Sequence, residues 1–163
     1  MHLKSDTVQS SAEALRYPWE NHPGHDQVVE VMPGVLWARL KLPFRLNHVN
    51  IYLIADGDGW AMVDSGFGNE ETIAAWTTLF EGPLRHVKVT RLIVTHSHPD
   101  HVGLAGWIVE RFGCPLQMSQ VEYLQSVYHQ NRGTEERKNA QRLFFRRHGM
   151  GETLTDKLLG RGQ

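Results

Sequence analysis

Residues Thr95 to Gly103 read T-H-S-H-P-D-H-V-G, which places three histidines (His96, His98, His101) and one aspartate (Asp100) within six positions. Imidazole nitrogen and carboxylate oxygen are the donors that zinc and its first-row neighbours take in hydrolytic sites. The cluster follows Leu92-Ile93-Val94-Thr95, an apolar, β-branched run that reads as a buried strand. In near-extended chain the side chains at i and i+2 point the same way, so His96 and His98 can address one ion together. Pro99 cannot continue a central strand and redirects the chain. Asp100 and His101 then fall at the start of the next element, where they can face a second ion. Four donors divided two and two are the local pattern of a binuclear metal site.

H-x-H-x-D-H after a hydrophobic strand resembles the signature of the metallo-β-lactamase superfamily. Asn47 to Ile54 resembles that family's early strand, and Met62-Val63-Asp64-Ser65-Gly66 resembles its D-[TS]-G motif. The likeness covers about residues 30 to 130 and is greatest to the glyoxalase-II-like, lactamase-beta-2-like branch. It implies an α+β fold, half of a four-layer αββα sandwich in which two sheets pack face to face. It also implies a hydrolase with two zinc ions, iron or manganese being alternatives. By resemblance His96 and His98 bind the first metal, and Asp100 and His101 the second. The metals would lower the pKa of a bound water and polarise the scissile group. Asp100 would orient the nucleophile and pass on its proton. Asp64 would accept hydrogen bonds beneath the site from ligands or loop amides, since ligating imidazoles need their other nitrogen held.

Only the first two of the family's site motifs are present. The third, bridging and final ligands lie downstream in the family, whereas here the histidines after His101 are His129 and His148, and the aspartate after Asp100 is Asp156. All three fall in helical patterns. The expectation is therefore an incomplete chain, with 1–27 a polar arm and 28–163 the first portion of the domain, its C-terminal half absent. One sheet face would lack its partner, and an apolar face of that size is expected to dimerise or bind another chain.

The 163 residues suit one ordinary domain, and the net charge of −1 gives no global pull toward nucleic acid or membrane. Residues 129–163 do carry 8 basic against 4 acidic side chains. Interleaved glutamates make a solvated helical face the better reading, so nucleic-acid binding has weak support, and Phe144 and Phe145 are expected to pack inward or against missing sequence. Cys114 is the lone cysteine, so no intrachain disulfide can form and a reducing, cytoplasmic setting is expected. No apolar run approaches a signal peptide or a membrane span.

The elements that must hold the donors follow from periodicity. Strands are expected over 28–32, 35–40, 48–55 and 60–64, with hairpin turns at Pro33-Gly34 and Asp56-Gly57-Asp58-Gly59. A helix over 70–80 is capped by Asn69 or Ser65, followed by a strand at 92–95, a helix over 101–112 and a short strand at 115–118. Helices are expected over 120–130, 135–147 and 152–159, and a short one over 11–17. His22 and His25 read as solvated, His48 as a satisfied core histidine, and Gly103 as giving either close packing or room beside the loop. Ser65 lacks the elbow a serine nucleophile needs. Three functions compete: a metal-dependent hydrolase of a small ester, thioester or related substrate; a non-catalytic metal-binding or scaffold fragment; and a nuclease of the same fold.

Overall fold

The computed structural model describes residues 18, 19, 21–130 and 135–160. Six strands form one mixed sheet in the order of the chain: β1 (Val28–Met32), β2 (Val35–Lys41), β3 (His48–Asp56), β4 (Gly59–Val63), β5 (Val89–Ile93) and β6 (Leu116–Gln117). The first four make an antiparallel meander, while β5 and β6 add in parallel. Tight turns suffice for the meander, whereas each parallel strand needs a crossover helix. Helix α1 (Glu70–Glu81) supplies the first crossover, and α2 (Pro99–Val102) with α3 (Ala105–Phe112) supplies the second. Three helices follow: α4 (Gln120–Gln130), α5 (Glu135–Arg147) and α6 (Glu152–Leu159).

The sequence dictates which sheet face is covered. Along β3, Val49, Ile51 and Leu53 are buried, whereas Asn50, Tyr52 and Ile54 are exposed, the two-residue alternation of a half-covered strand. Trp76, Leu79 and Phe80 of α1 and Ile108 of α3 join the buried side chains of the sheet in one core, with Trp76 and Phe80 stacked. Asn69 caps α1, its Oδ1 accepting from Thr72 N at 2.8 Å. Ser65, the alternative cap, is used elsewhere. On the opposite face Trp37 donates from Nε1 to Asn50 Oδ1, beside Tyr52 and Ile54, and no second sheet lies over it among the described residues. The fold is thus α+β with one sheet, the part of the sandwich expected from sequence.

Three expectations need correction. The strand before the histidines runs from Val89 to Ile93 and ends earlier than 95, because the chain after Ile93 is claimed by a carboxylate described below. The helix over 101–112 is two pieces, broken at Gly103 and Leu104. Phe144 does not pack inward but is 57% exposed. The helix expected over 11–17 lies outside the described residues. No helix of the described chain is long and apolar enough to cross a membrane.

Candidate metal centre

Strands β4 and β5 run parallel and end side by side, so the segments leaving them, Asp64-Ser65-Gly66 and Val94 to His98, share one end of the sheet. Asp64 has φ 66°, the left-handed region that aspartate tolerates better than most residues. This turns its carboxylate away from the strand direction and under the next loop. Asp64 Oδ1 accepts from Thr95 N at 2.7 Å, and Oδ2 from Thr95 Oγ1 at 2.8 Å. Asp64 Oδ2 also accepts from His101 Nδ1 at 2.8 Å. Holding Thr95 N in this way ends the β5 ladder at Ile93.

Ser65 ties the same loop from below. Its N donates to His101 O at 2.8 Å, its Oγ to that oxygen at 2.8 Å, and it accepts from Leu104 N at 3.1 Å. Trp76 Nε1 closes the stack by donating to Ser65 O at 2.8 Å. Gly103 passes so close to this segment that an added Cβ would lie 2.4 Å from Gly68 N and 2.3 Å from Pro99 O. Close backbone approach is therefore its role, and it accounts for the break between α2 and α3.

The three loop imidazoles gather above this base. The ring centres of His96 and His101 are 4.0 Å apart, and those of His96 and His98 are 4.5 Å apart. His96 Nε2 lies 2.9 Å from His98 Nδ1, and its own Nδ1 lies 2.9 Å from Thr95 Oγ1. His101 Nε2 is 3.5 Å from Asp100 Oδ2. Partial burial, then the neighbouring His101 and His98, hold the His96 pKa below its usual value, which favours the neutral, ligating form. Glu122 of α4 was not foreseen: its Oε2 accepts from Ser97 N at 2.7 Å and so anchors the loop from the far side.

By donor chemistry the group fits a first-row metal, three imidazoles and a carboxylate on one loop with one ring already oriented by Asp64. By number it is incomplete, since no group of three or more His, Cys, Asp or Glu side chains converges to hold an ion among the described residues. His129 lies on α4, and His148 follows α5 with its Nδ1 2.8 Å from Phe144 O. Asp156 pairs with Arg142 at 3.3 Å, and Arg146 with Glu152 at 2.7 Å, so two cations of the basic α5 face are matched by α6. His48 is half-buried with its Nδ1 on Asn47 Oδ1, as a satisfied histidine. His25 is only partly exposed: its Nδ1 lies 3.0 Å from Arg39 O, because the turn at Gly24–Gln27 folds onto β2. Cys114 is buried, and burial pushes its thiol pKa up.

Comparison with known proteins agrees with the fold. Among solved structures, a beta-lactamase domain protein from Burkholderia ambifaria is 35% identical with a TM-score of 0.61, covering 68% of this chain and 35% of its own. A metallo-beta-lactamase family protein from Thermus thermophilus is 28% identical with a TM-score of 0.60, covering 80% of this chain and 43% of its own. A metallo-beta-lactamase from Pontibacter korlensis, 21% identical with a TM-score of 0.51, covers 63% of this chain and 47% of its own, and shares the fold alone. The chain thus spans between 35% and 47% of the length of these three relatives. No curated protein matches it by sequence. The family model of the metallo-beta-lactamase superfamily matches residues 45–160, a span that begins just before β3, takes in Asp64 and the whole histidine loop, and ends with α6. A sheet end where one aspartate orients a histidine of an H-x-H-x-D-H loop, matched over most of the chain by that model, makes this protein a member of the metallo-beta-lactamase superfamily.

Proposed function

We propose that this chain is part of a metal-dependent hydrolase that acts on an ester, thioester or related bond. The observation that carries the reading is the His101–Asp64 contact, which fixes one ring nitrogen of a loop histidine and leaves the other facing Asp100. A ring held this way is the support that metal-ligating histidines use. His96 and His98 would hold one ion, and Asp100 and His101 a second, zinc being the first candidate and iron or manganese the alternatives. A bound ion would supply Lewis acidity and lower the pKa of a water. Asp64 keeps His101 in one tautomer. Asp100 would accept the proton that this water gives up and pass it to the leaving group. Glu122 and Ser65 keep the loop in place while this happens. The lone buried Cys114 is compatible with a reducing, cytoplasmic setting.

A second reading draws on one observation. With no group of three donors among the described residues, the chain would be a metal-binding or scaffold portion whose remaining ligands come from further polypeptide or a partner chain. Turnover separates the two. The chain is loaded with zinc, manganese or iron and assayed on small esters and thioesters, beside a longer form of the protein at equal metal occupancy. Misplacement of about 1 Å costs roughly a hundredfold in rate, so the 163-residue chain is expected to be the much slower form, with the longer form losing activity in Asp100→Asn. Equal rates would mean that His129, His148 or a neighbouring subunit completes the site. Metal binding without turnover in either form would leave the second reading standing.

A further inference from the structure

Three histidines and two cations gather outside the loop, at the end of β2. His22, His25, Arg39, Lys41, Leu42 and Asn47 line a cavity of about 390 Å³, large enough for a small ligand. His48 stands near it, its pKa lowered by partial burial and then by Arg39, His22 and His25. Among the described residues, the lining holds two permanent positive charges and no carboxylate. Glu71 reaches Lys41 only at 3.7 Å, with both side chains largely exposed, so that charge is weakly screened. Asp26 is exposed beside His25.

Arg39 supplies the second observation. Its Nε is shut away from solvent and has no hydrogen-bond partner among the described residues. A buried guanidinium donor without an acceptor is a costly arrangement that native structures normally resolve. A cation is repelled by Arg39 and Lys41, so three histidines here do not make a metal site. An oxyanion suits this lining, since arginine presents parallel donors to phosphate or carboxylate oxygens. His22 and His25 already place Nδ1 on Pro23 O and Arg39 O, so their Nε2 atoms donate to it only from the imidazolium form.

The cavity also shares a sheet end with the histidine loop. Lys41 pairs with His48, and Tyr52 with Val63, so the end of β2 and the exit of β4 point the same way. Leu40 Cδ1 lies 2.8 Å from where a Cβ on Gly66 would stand. Neighbouring strands are about 4.8 Å apart, which puts β2 roughly 14 Å from β5 across the edge.

We propose that this cavity is an oxyanion site that takes a phosphate group, with Arg39 as its anchor and Lys41, His22 and His25 around it. Where the hydrolase reading holds, the site grips the phosphorylated end of a substrate whose scissile bond lies at the histidine loop.

The test titrates the protein with inorganic phosphate while NMR follows the histidine side chains. Saturable shifts at His22 and His25 are expected. Arg39→Gln should weaken binding about tenfold or more, and His96→Ala with His98→Ala should leave it unchanged. Circular dichroism checks folding, and should Arg39→Gln fail to fold, Lys41→Gln carries the test, with weaker binding again expected. Phenyl phosphate binding as tightly as inorganic phosphate assigns the site to a substrate's phosphate; binding of the inorganic ion alone assigns it to free phosphate. No saturable shift, shifts centred on His96, His98 and His101, or unchanged affinity in the folded variants would overturn the proposal. Because the readout is binding, an inactive protein that still binds phosphate sinks only the hydrolase reading.

Discussion

Asp64 and His101 meet at 2.8 Å across 37 residues of chain, one from the exit of β4 and the other from α2. The same carboxylate holds both the amide and the hydroxyl of Thr95, just ahead of His96. One buried side chain therefore sets both the start and the finish of the H-x-H-x-D-H loop.

Removing that carboxylate should cost both stability and metal. Asp64→Ala leaves the Thr95 amide and His101 Nδ1 without their acceptor, which at a buried position costs roughly 1–3 kcal/mol. Loss of the orienting contact should also weaken metal binding by about 10- to 100-fold. Chemical denaturation and a metal-competition titration measure the two effects. An Asp64→Ala protein with wild-type affinity would show that the loop orients His101 without help.

His96 and His98 together should carry the tightest metal site. Their joint replacement by alanine removes half of the usual four-ligand set of a zinc ion, and elemental analysis should find that site empty. Unchanged stoichiometry would place the metal elsewhere.

Gly103 should tolerate no side chain. A Cβ there meets backbone atoms of Pro99 and Gly68, which cannot swing aside as a flexible side chain would. Gly103→Ala is expected to destabilise by about 1–3 kcal/mol and to shift His101 relative to Asp64. Thermal unfolding tests the first part, and the His101 side-chain NMR signal the second. A wild-type melting curve would contradict the packing argument.

The hold of Glu122 on the loop should fail in acid. Its hydrogen bonds with Ser97 hold its pKa below the ordinary value of 4.5. A depressed carboxylate stabilises the fold above the unfolded pKa, and that contribution fades as pH falls through the lower, folded one. Exchange of the Ser97 amide should therefore accelerate as pH falls below about 4.5, relative to neighbouring amides and after correction for intrinsic rates. Glu122→Gln should show weaker protection at neutral pH as well. Protection independent of pH and of the substitution would remove Glu122 from the loop's support.

Most of the framework was legible because its signals are local. Val49, Ile51 and Leu53 alternate with exposed partners, the aspartate–glycine turn joins β3 to β4, and Asn69 precedes the acidic first turn of α1. The loop donors could be read from type and spacing alone. What escaped was set by distant chain. Glu122 reaches Ser97 across 25 residues with no motif to announce it. Nothing near Ser65 says that it will bind the backbone at His101 and Leu104 instead of capping a helix. The break after Val102 follows from Gly103 meeting Gly66 and Gly68, a contact that periodicity within 101–112 cannot encode. Arg39 reads as one more polar residue in a strand until the turn carrying His22 and His25 folds over it.

The order β1-β2-β3-β4-β5-β6 has a kinetic corollary. The meander closes through short turns, whereas β5 must await a crossover, and contacts between distant residues form later than local ones. Assembly of the sheet should thus precede assembly of the chemistry, with β2–β3 amides protected before that of Thr95 in pulse-labelled refolding. Simultaneous protection would mean that the loop belongs to the nucleus. If the meander does lead, a nascent chain displays its open face, with Trp37, Tyr52 and Ile54, before the histidine loop has taken shape.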